Sequence, residues 1–167
     1  MLTIRCYSAA DASGLTSLFR ASVRQIAARD YSASQILAWA PDAIDESRFG
    51  QRCEMKSTWV AEVEGRLAGF SDLEPDGHVD MLYVHPDFQR RGVARALLTH
   101  IEMLARTHGL QRLYTEASIT ARPAFEAMGF RVIASQSVII RGETMTNYRM
   151  EKQLGPVPTV TPAVTAT

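Results

Sequence analysis

The residues with the clearest chemical character lie in one stretch, Met81-Leu-Tyr-Val-His-Pro-Asp-Phe-Gln-Arg-Arg-Gly-Val-Ala-Arg95. It reads as a strand, a tight basic loop and the start of a helix. The first N–H groups of a helix have no partner inside it and sit at the positive end of its dipole. Arg90, Arg91 and Arg95 add full positive charges, and Gly92 has no side chain to keep a ligand from the backbone. Donors, dipole and charge converging on one point suit a pyrophosphate. Two familiar phosphate loops are excluded by spacing. No Gly-Lys-Ser/Thr follows, as a P-loop needs, and there are not three glycines after the first strand of a βαβ unit, as a dinucleotide fingerprint needs.

Other chemistries find little support. Eighteen Lys and Arg balance eighteen Asp and Glu, so no net charge draws the chain to nucleic acid or to an anionic membrane. Cys6 and Cys53 have no disulfide-scaffold or metal spacing. His78, His85, His100 and His108 form no ligand-like cluster, and no metal is expected. The serines lack a His and Asp partner pattern, which disfavours an acyl-enzyme hydrolase. No run approaches the roughly 18 apolar residues of a membrane span, and the first residues carry no long apolar leader. A cytoplasmic protein is expected, monomer or homodimer, with no nucleic-acid or membrane partner.

With 167 residues, 46% of them hydrophobic, one domain is the default. Leu2–Tyr7 alternates as a strand. Leu15, Leu18, Phe19, Val23 and Ile26 mark the apolar face of a helix over 11–28. Ser32 and Gln35 form a capping box opening a second helix that stops before Pro41, and a short helical piece is expected around Asp45–Cys53. Strands are expected at Thr58–Val63, Leu67–Leu73 and His78–Val84, then a helix from Gly92 to Thr107. A short strand Leu113–Glu116, a brief helix Ala121–Met128 closed by Gly129, and strands Phe130–Ile140 and Thr144–Lys152 complete the order. The fold class is α/β of the α+β kind: a mixed, mostly antiparallel central sheet of about seven strands flanked by helices. Residues 1–154 form the single domain, and 155–167, rich in Pro and Thr and without charge, read as a tail.

Gln89-Arg-Arg-Gly-Val-Ala94 resembles the Q/R-x-x-G-x-G/A signature of the GNAT superfamily of N-acetyltransferases. Leu82-Tyr-Val84 and Leu97-Leu98 stand where that family has its cofactor strand and helix. Phe125-Glu-Ala-Met-Gly-Phe130 resembles the family's second motif, usually Tyr-Glu-Lys-x-Gly-Phe. The element order agrees over about residues 2–152. The alternative for the basic stretch alone is a solvated arginine-rich loop, and the second pattern at the right separation weighs against it.

The resemblance implies acetyl-CoA as donor, a fourth strand splayed from the fifth, and transfer to an amine of a small molecule or a peptide. The pantetheine arm would pair with the backbone at Leu82 and Val84, beside Tyr83, and the pyrophosphate would sit on the loop and helix start of Gln89, Arg90, Arg91, Gly92, Val93, Ala94 and Arg95. Ser118 and Phe125 would contact the cofactor. Relatives often place a Tyr acid at the position of Phe125, so that role does not carry over; Tyr83 and Tyr148 are the replacement candidates, each otherwise core packing, and Tyr148 is the one assigned. Leu113-Tyr-Thr-Glu116 resembles a Leu-x-x-Glu in relatives where the Glu is the general base, with Asp72, Glu74 and Asp80 as rivals. Tyr31 and Trp39 are expected to grip the acceptor. A second reading, motivated by Phe125, is a non-catalytic acyl-CoA binding or sensing module.

Overall fold

In the computed structural model, residues 1–156 are described; of the expected tail, everything beyond residue 156 lies outside them. The chain begins with β1 (Leu2–Cys6) and turns into α1 (Ala12–Gln25), where Leu15, Leu18, Phe19 and Val23 are buried at the spacings that marked them. The helical pattern past Gln25 continues only as a short 3-10 turn, Ala27–Arg29. α2 (Ala33–Trp39) opens with the expected capping box. Ser32 Oγ accepts the Gln35 N–H at 3.2 Å, and the Gln35 side chain accepts the Ser32 N–H at 2.8 Å. α3 (Glu46–Met55) follows, with Asp45 Oδ1 accepting the Arg48 N–H at 3.1 Å.

β2 (Thr58–Val63), β3 (Arg66–Asp72) and β4 (Leu82–Val84) join β1 in an antiparallel sheet ordered β1-β2-β3-β4. Then come α4 (Val93–Thr107), β5 (Arg112–Ser118), α5 (Arg122–Ala127), β6 (Arg131–Ile140) and β7 (Glu143–Gln153). The last three strands form a second antiparallel sheet, ordered β5-β7-β6. Seven strands thus divide into four and three rather than forming one continuous sheet.

The strand expected over His78–Val84 is real only at Leu82–Val84. The reason is local. The buried Asp72 carboxylate accepts the backbone N–H groups of Asp80 at 2.9 Å and Met81 at 2.7 Å, which removes them from any ladder. Upstream, His78 makes an isolated parallel bridge to Tyr114, with Val79 N–H donating to the Tyr114 carbonyl at 2.9 Å and Tyr114 N–H to the Gly77 carbonyl at 3.0 Å. The segment therefore touches β5 at one end and β3 at the other. Between Leu82–Val84 and the end of β5 the two sheets part, which is the splay that the resemblance implied.

Alternation along β4 sets the two layers. Tyr83 packs edge-on against Phe19 of α1, at 4.9 Å between ring centroids, in a cluster with Phe49 and Phe70. Leu82 and Val84 face the cluster built on α4, where Val93 and Leu97 are buried. α4 lies close on β3 because residue 69 is glycine: a Cβ there would come within 2.8 Å of both Val93 Cγ1 and the Tyr83 carbonyl. Each fully buried Leu or Ile along α4 stabilises this packing by about 1.5–3 kcal/mol. No helix among the described residues is long and apolar enough to cross a membrane.

Candidate active site

β4 ends at Val84, and a 3-10 turn, Pro86–Phe88, reverses the chain into α4. His85 caps that turn, its Nδ1 accepting the Asp87 N–H at 3.1 Å. Arg90 at φ 57° and Gly92 at φ 79° make the sharp entry to α4. The first helical hydrogen bond runs from Ala96 N–H to the Gly92 carbonyl at 2.9 Å, so none of the N–H groups from Arg90 to Arg95 has an acceptor among the described residues. Arg90, Arg91 and Arg95 likewise enter no ion pair among the described residues. A Cβ on Gly92 would meet nothing within 4 Å, so its left-handed φ, not crowding, demands glycine, and that side of the backbone stays open. Six N–H donors without acceptors among the described residues, beside the unpaired Arg90 and Arg95, fit an anion.

A cleft of about 400 Å³ runs from this cradle into the gap between β4 and β5. Leu82, Tyr83, Val84, Gln89, Arg90, Gly92, Val93, Ala94, Arg95, Ser118 and Phe125 all line it. Arg91 does not; its guanidinium lies over the Phe88 ring at 5.3 Å. Phe125 on α5 is buried with its ring edge-on to Phe130 at 5.0 Å, an apolar wall without a hydroxyl. Ser118 Oγ accepts the Ala121 N–H at 3.0 Å and so also starts α5.

A second cleft of about 400 Å³ lies under α2 and the β6–β7 turn, walled by Phe19, Phe49, Val138 and Met145. Tyr31 and Trp39 both line it, their rings edge-on at 5.6 Å. The Tyr31 hydroxyl is already engaged: it accepts the Ile119 N–H at 2.9 Å and donates to the Thr146 carbonyl at 2.6 Å, tying the wall to β7. The two clefts share Trp39, Asp80, Tyr83, Glu116 and Ser118. They meet at two carboxylates.

The four acidic candidates separate by environment. Asp72 is fully buried and lines neither cleft; burial pushes its carboxyl up to about 7. Glu74 lies outside both clefts, bonded to Lys56 at 3.1 Å and to His78. Asp80 is at the junction, but although burial alone would raise its pKa, hydrogen bonds from Arg52 and Lys56 outweigh that and hold it below the usual carboxylate range. Glu116 is at the junction with no Lys or Arg pairing among the described residues; its Oε2 lies 2.5 Å from His78 Nε2. Of the two carboxylates at the junction, Asp80 is thus paired with cations and Glu116 with His78.

The tyrosine candidates fare differently. Tyr83 lines both clefts, its phenol pushed up to about 12 by burial. Tyr148, assigned as the replacement acid, lines neither: on β7 it pairs with Ala117 of β5, and it lies under the Arg122 guanidinium at 4.6 Å. Its alternation along β7 turns it to the α5 side, while its neighbour Asn147 lines the second cleft. His78, given no role from sequence, proves to touch Glu116. No spacing signalled it, because the turn at Pro75–Gly77 and the bridge to Tyr114 bring it there.

A family model described as an acetyltransferase (GNAT) domain matches residues 27–152. The uncharacterised N-acetyltransferase YafP of Escherichia coli K12 is 39% identical over 150 residues, covering 89% of this chain and 94% of that protein. A solved GCN5-related N-acetyltransferase from Rhodopseudomonas palustris superposes with a TM-score of 0.86 at 38% identity, over 90% of this chain and 94% of that one. The fold extends to a putative acetyltransferase, yncA, from Salmonella typhimurium, solved with acetyl-CoA, at a TM-score of 0.72 and 21% identity over 93% and 95% of the chains. With its splayed strands and basic helix start, this chain belongs to the GNAT family of N-acetyltransferases.

Proposed function

We propose that the chain moves an acetyl group from acetyl-CoA to a primary amine, on a small molecule or a peptide, by direct attack while both substrates are bound. The observation that carries this reading is the shared floor of the two clefts, where Glu116 stands between an anion cradle and an aromatic pocket. The N–H groups of Gly92 to Arg95, with Arg90 and Arg95, would hold the pyrophosphate. The free edge of β4 at Leu82 and Val84 would pair with the amides of the pantetheine arm, and Phe125 would pack on its apolar part. Bound there, acetyl-CoA supplies an acetyl group activated as a thioester.

The acceptor arrives mostly as an ammonium ion, which has no lone pair to attack with. Glu116 takes that proton, a general-base contribution of roughly 10²–10⁴-fold. The aromatic walls, Trp39 and Tyr31 among them, exclude water and hold the acceptor's apolar part. A thiol leaving group with a pKa of roughly 8.5 has a mild need for an acid, so solvent suffices where relatives use Tyr and this chain has Phe125. The fold-level neighbours solved with acetyl-CoA or coenzyme A support the donor.

Initial rates with acetyl-CoA against small and peptide amines, read by thiol release, test the reading. Intersecting double-reciprocal lines are expected. Parallel lines would contradict direct transfer, since they require a covalent acetyl-enzyme. Tight acetyl-CoA binding with no thiol release for any amine would favour a binding or sensing module instead.

A further inference from the structure

We propose that His78 is the positioning residue for Glu116 and the proton store of the transfer: its imidazole fixes the Glu116 carboxylate at the junction of the clefts and takes up the proton that Glu116 removes from the acceptor amine. This rests on Glu116 acting as the base.

The proposal stands on a bridge of three side chains. His78 Nε2 lies 2.5 Å from Glu116 Oε2, and Nδ1 is in hydrogen-bond contact with Glu74 Oε2. Each ring nitrogen thus faces a carboxylate oxygen, and the side chain is only 17% exposed. The ring stacks on Tyr114 at 4.8 Å between centroids and 22° between planes. Its backbone is pinned as well. The His78 N–H donates to Asp76 Oδ1 at 3.1 Å, and its carbonyl accepts the Glu74 N–H at 2.9 Å.

Charges face this ring from every side. Glu74 and Asp76 lie on its own loop, Glu116 on β5, Lys56 behind Glu74 at 3.1 Å, and Arg112 over the Tyr114 ring at 4.7 Å. Burial alone would lower the ring's pKa, but its hydrogen bonds to Glu116 and Glu74 outweigh that and raise it above the ordinary value of 6.5. The ring therefore binds a proton more tightly than a free imidazole does, and in its neutral form it accepts one readily.

The proton count closes without any co-reactant. The ammonium gives its proton to the Glu116 carboxylate, which frees the nitrogen lone pair for attack. The Glu116 carboxyl passes that proton to His78 Nε2, and the imidazolium is held between Glu116 and Glu74. The imidazolium then loses that proton to water, and the ring returns to neutral. The nitrogen sheds its second proton to solvent as the amide forms and the departing thiolate takes one from solvent, so one proton is released net. A glutamine at position 78 could orient Glu116 by a hydrogen bond but could not carry the proton, which is the difference a test can read.

His78→Gln, His78→Ala and Glu74→Gln are compared with Glu116→Gln for kcat, amine KM, acetyl-CoA affinity and the pH dependence of kcat/KM. His78→Gln is expected to keep acetyl-CoA affinity and amine KM within about twofold while lowering kcat about tenfold or more at neutral pH, and added imidazole should restore part of the activity of His78→Ala. Activity should rise with pH as the ring becomes neutral. Removing the Glu74 charge lets the ring release its proton more easily, so Glu74→Gln should move that limb to lower pH. A kcat within twofold in His78→Gln, with Glu116→Gln strongly impaired, would overturn the role of His78 and leave the base intact. An unimpaired Glu116→Gln would remove the base itself. Should His78→Gln fail to fold, an unmoved limb in folded Glu74→Gln still overturns the proton-store role.

Discussion

The two clefts that meet at Glu116 are built by different means. The anion cradle is contiguous, one strand end, one turn and one helix start within Leu82–Arg95, and its donors are mostly backbone N–H groups. The other cleft is assembled from side chains of α1, α2, α3, the β3–β4 connection, β5 and the β6–β7 hairpin. A backbone-made site needs a particular local conformation, so it constrains spacing and glycine. A side-chain-made site needs only that distant elements converge, so it leaves little trace in any one segment. The first is expected to fail on single backbone insults, the second on single side chains.

The largest blow to the cradle should come from Gly92→Glu. It places a negative charge among six N–H groups without acceptors among the described residues, and a side chain at φ 79°. Acetyl-CoA affinity by calorimetry should fall about a hundredfold or more, with Gly92→Ala losing much less because it adds strain without charge. Equal affinity in the wild type and Gly92→Glu would mean the cofactor does not use this helix start.

Phe125→Ala sharpens the comparison, since Phe125 is a buried aromatic side chain in the wall of the cradle's cleft. Cofactor affinity should drop about tenfold, and the fold should lose about 3–5 kcal/mol, as large-to-small changes at buried aromatics do. Phe125→Tyr should be neutral or modestly faster, because a phenol of pKa about 10 helps a thiolate of pKa about 8.5 only slightly. Turnover reduced more than tenfold by Phe125→Tyr would show that the position tolerates no polar group.

Asp72 tests how the junction is held. The folded protein keeps a proton there up to about pH 7, whereas the unfolded chain releases it near pH 4. Its contribution to stability is therefore largest at low pH and is lost as pH rises from about 4 to about 7. Asp72→Asn keeps an oxygen for the Asp80 and Met81 N–H groups and removes the titration. Urea unfolding at pH 5 and pH 8 should show the variant gaining on the wild type as pH rises, and a constant difference would contradict the raised carboxyl. The smallest effect is expected from Tyr148→Phe, under about twofold in turnover in both the wild type and Phe125→Tyr, because Tyr148 lines neither cleft.

The same contrast explains what could be read beforehand. Gln89 to Arg95 was legible because helix-start donors and a left-handed glycine impose a pattern on consecutive residues. The helix periods of α1 and α4 and the capping box at Ser32 were legible for the same local reason. The break in the expected strand at His78–Val84 was not, since it depends on Asp72, eight residues before Asp80, turning its carboxylate onto that backbone. The contact between His78 and Glu116 spans 38 residues and stands beside the parallel bridge of His78 to Tyr114, a long-range pairing that no local pattern encodes. That Tyr148 lies away from both clefts was not legible, because strand alternation states that neighbours face opposite ways but not which one faces the cleft.

The most direct test is the turnover of Glu116→Gln with one accepted amine, measured beside its acetyl-CoA affinity. The substitution keeps size and hydrogen bonding and removes the base. Turnover is predicted to fall roughly 10²–10⁴-fold at neutral pH, with cofactor affinity within about twofold and the deficit shrinking at high pH, where more of the amine arrives without its proton. An unaltered rate at neutral pH would contradict the account.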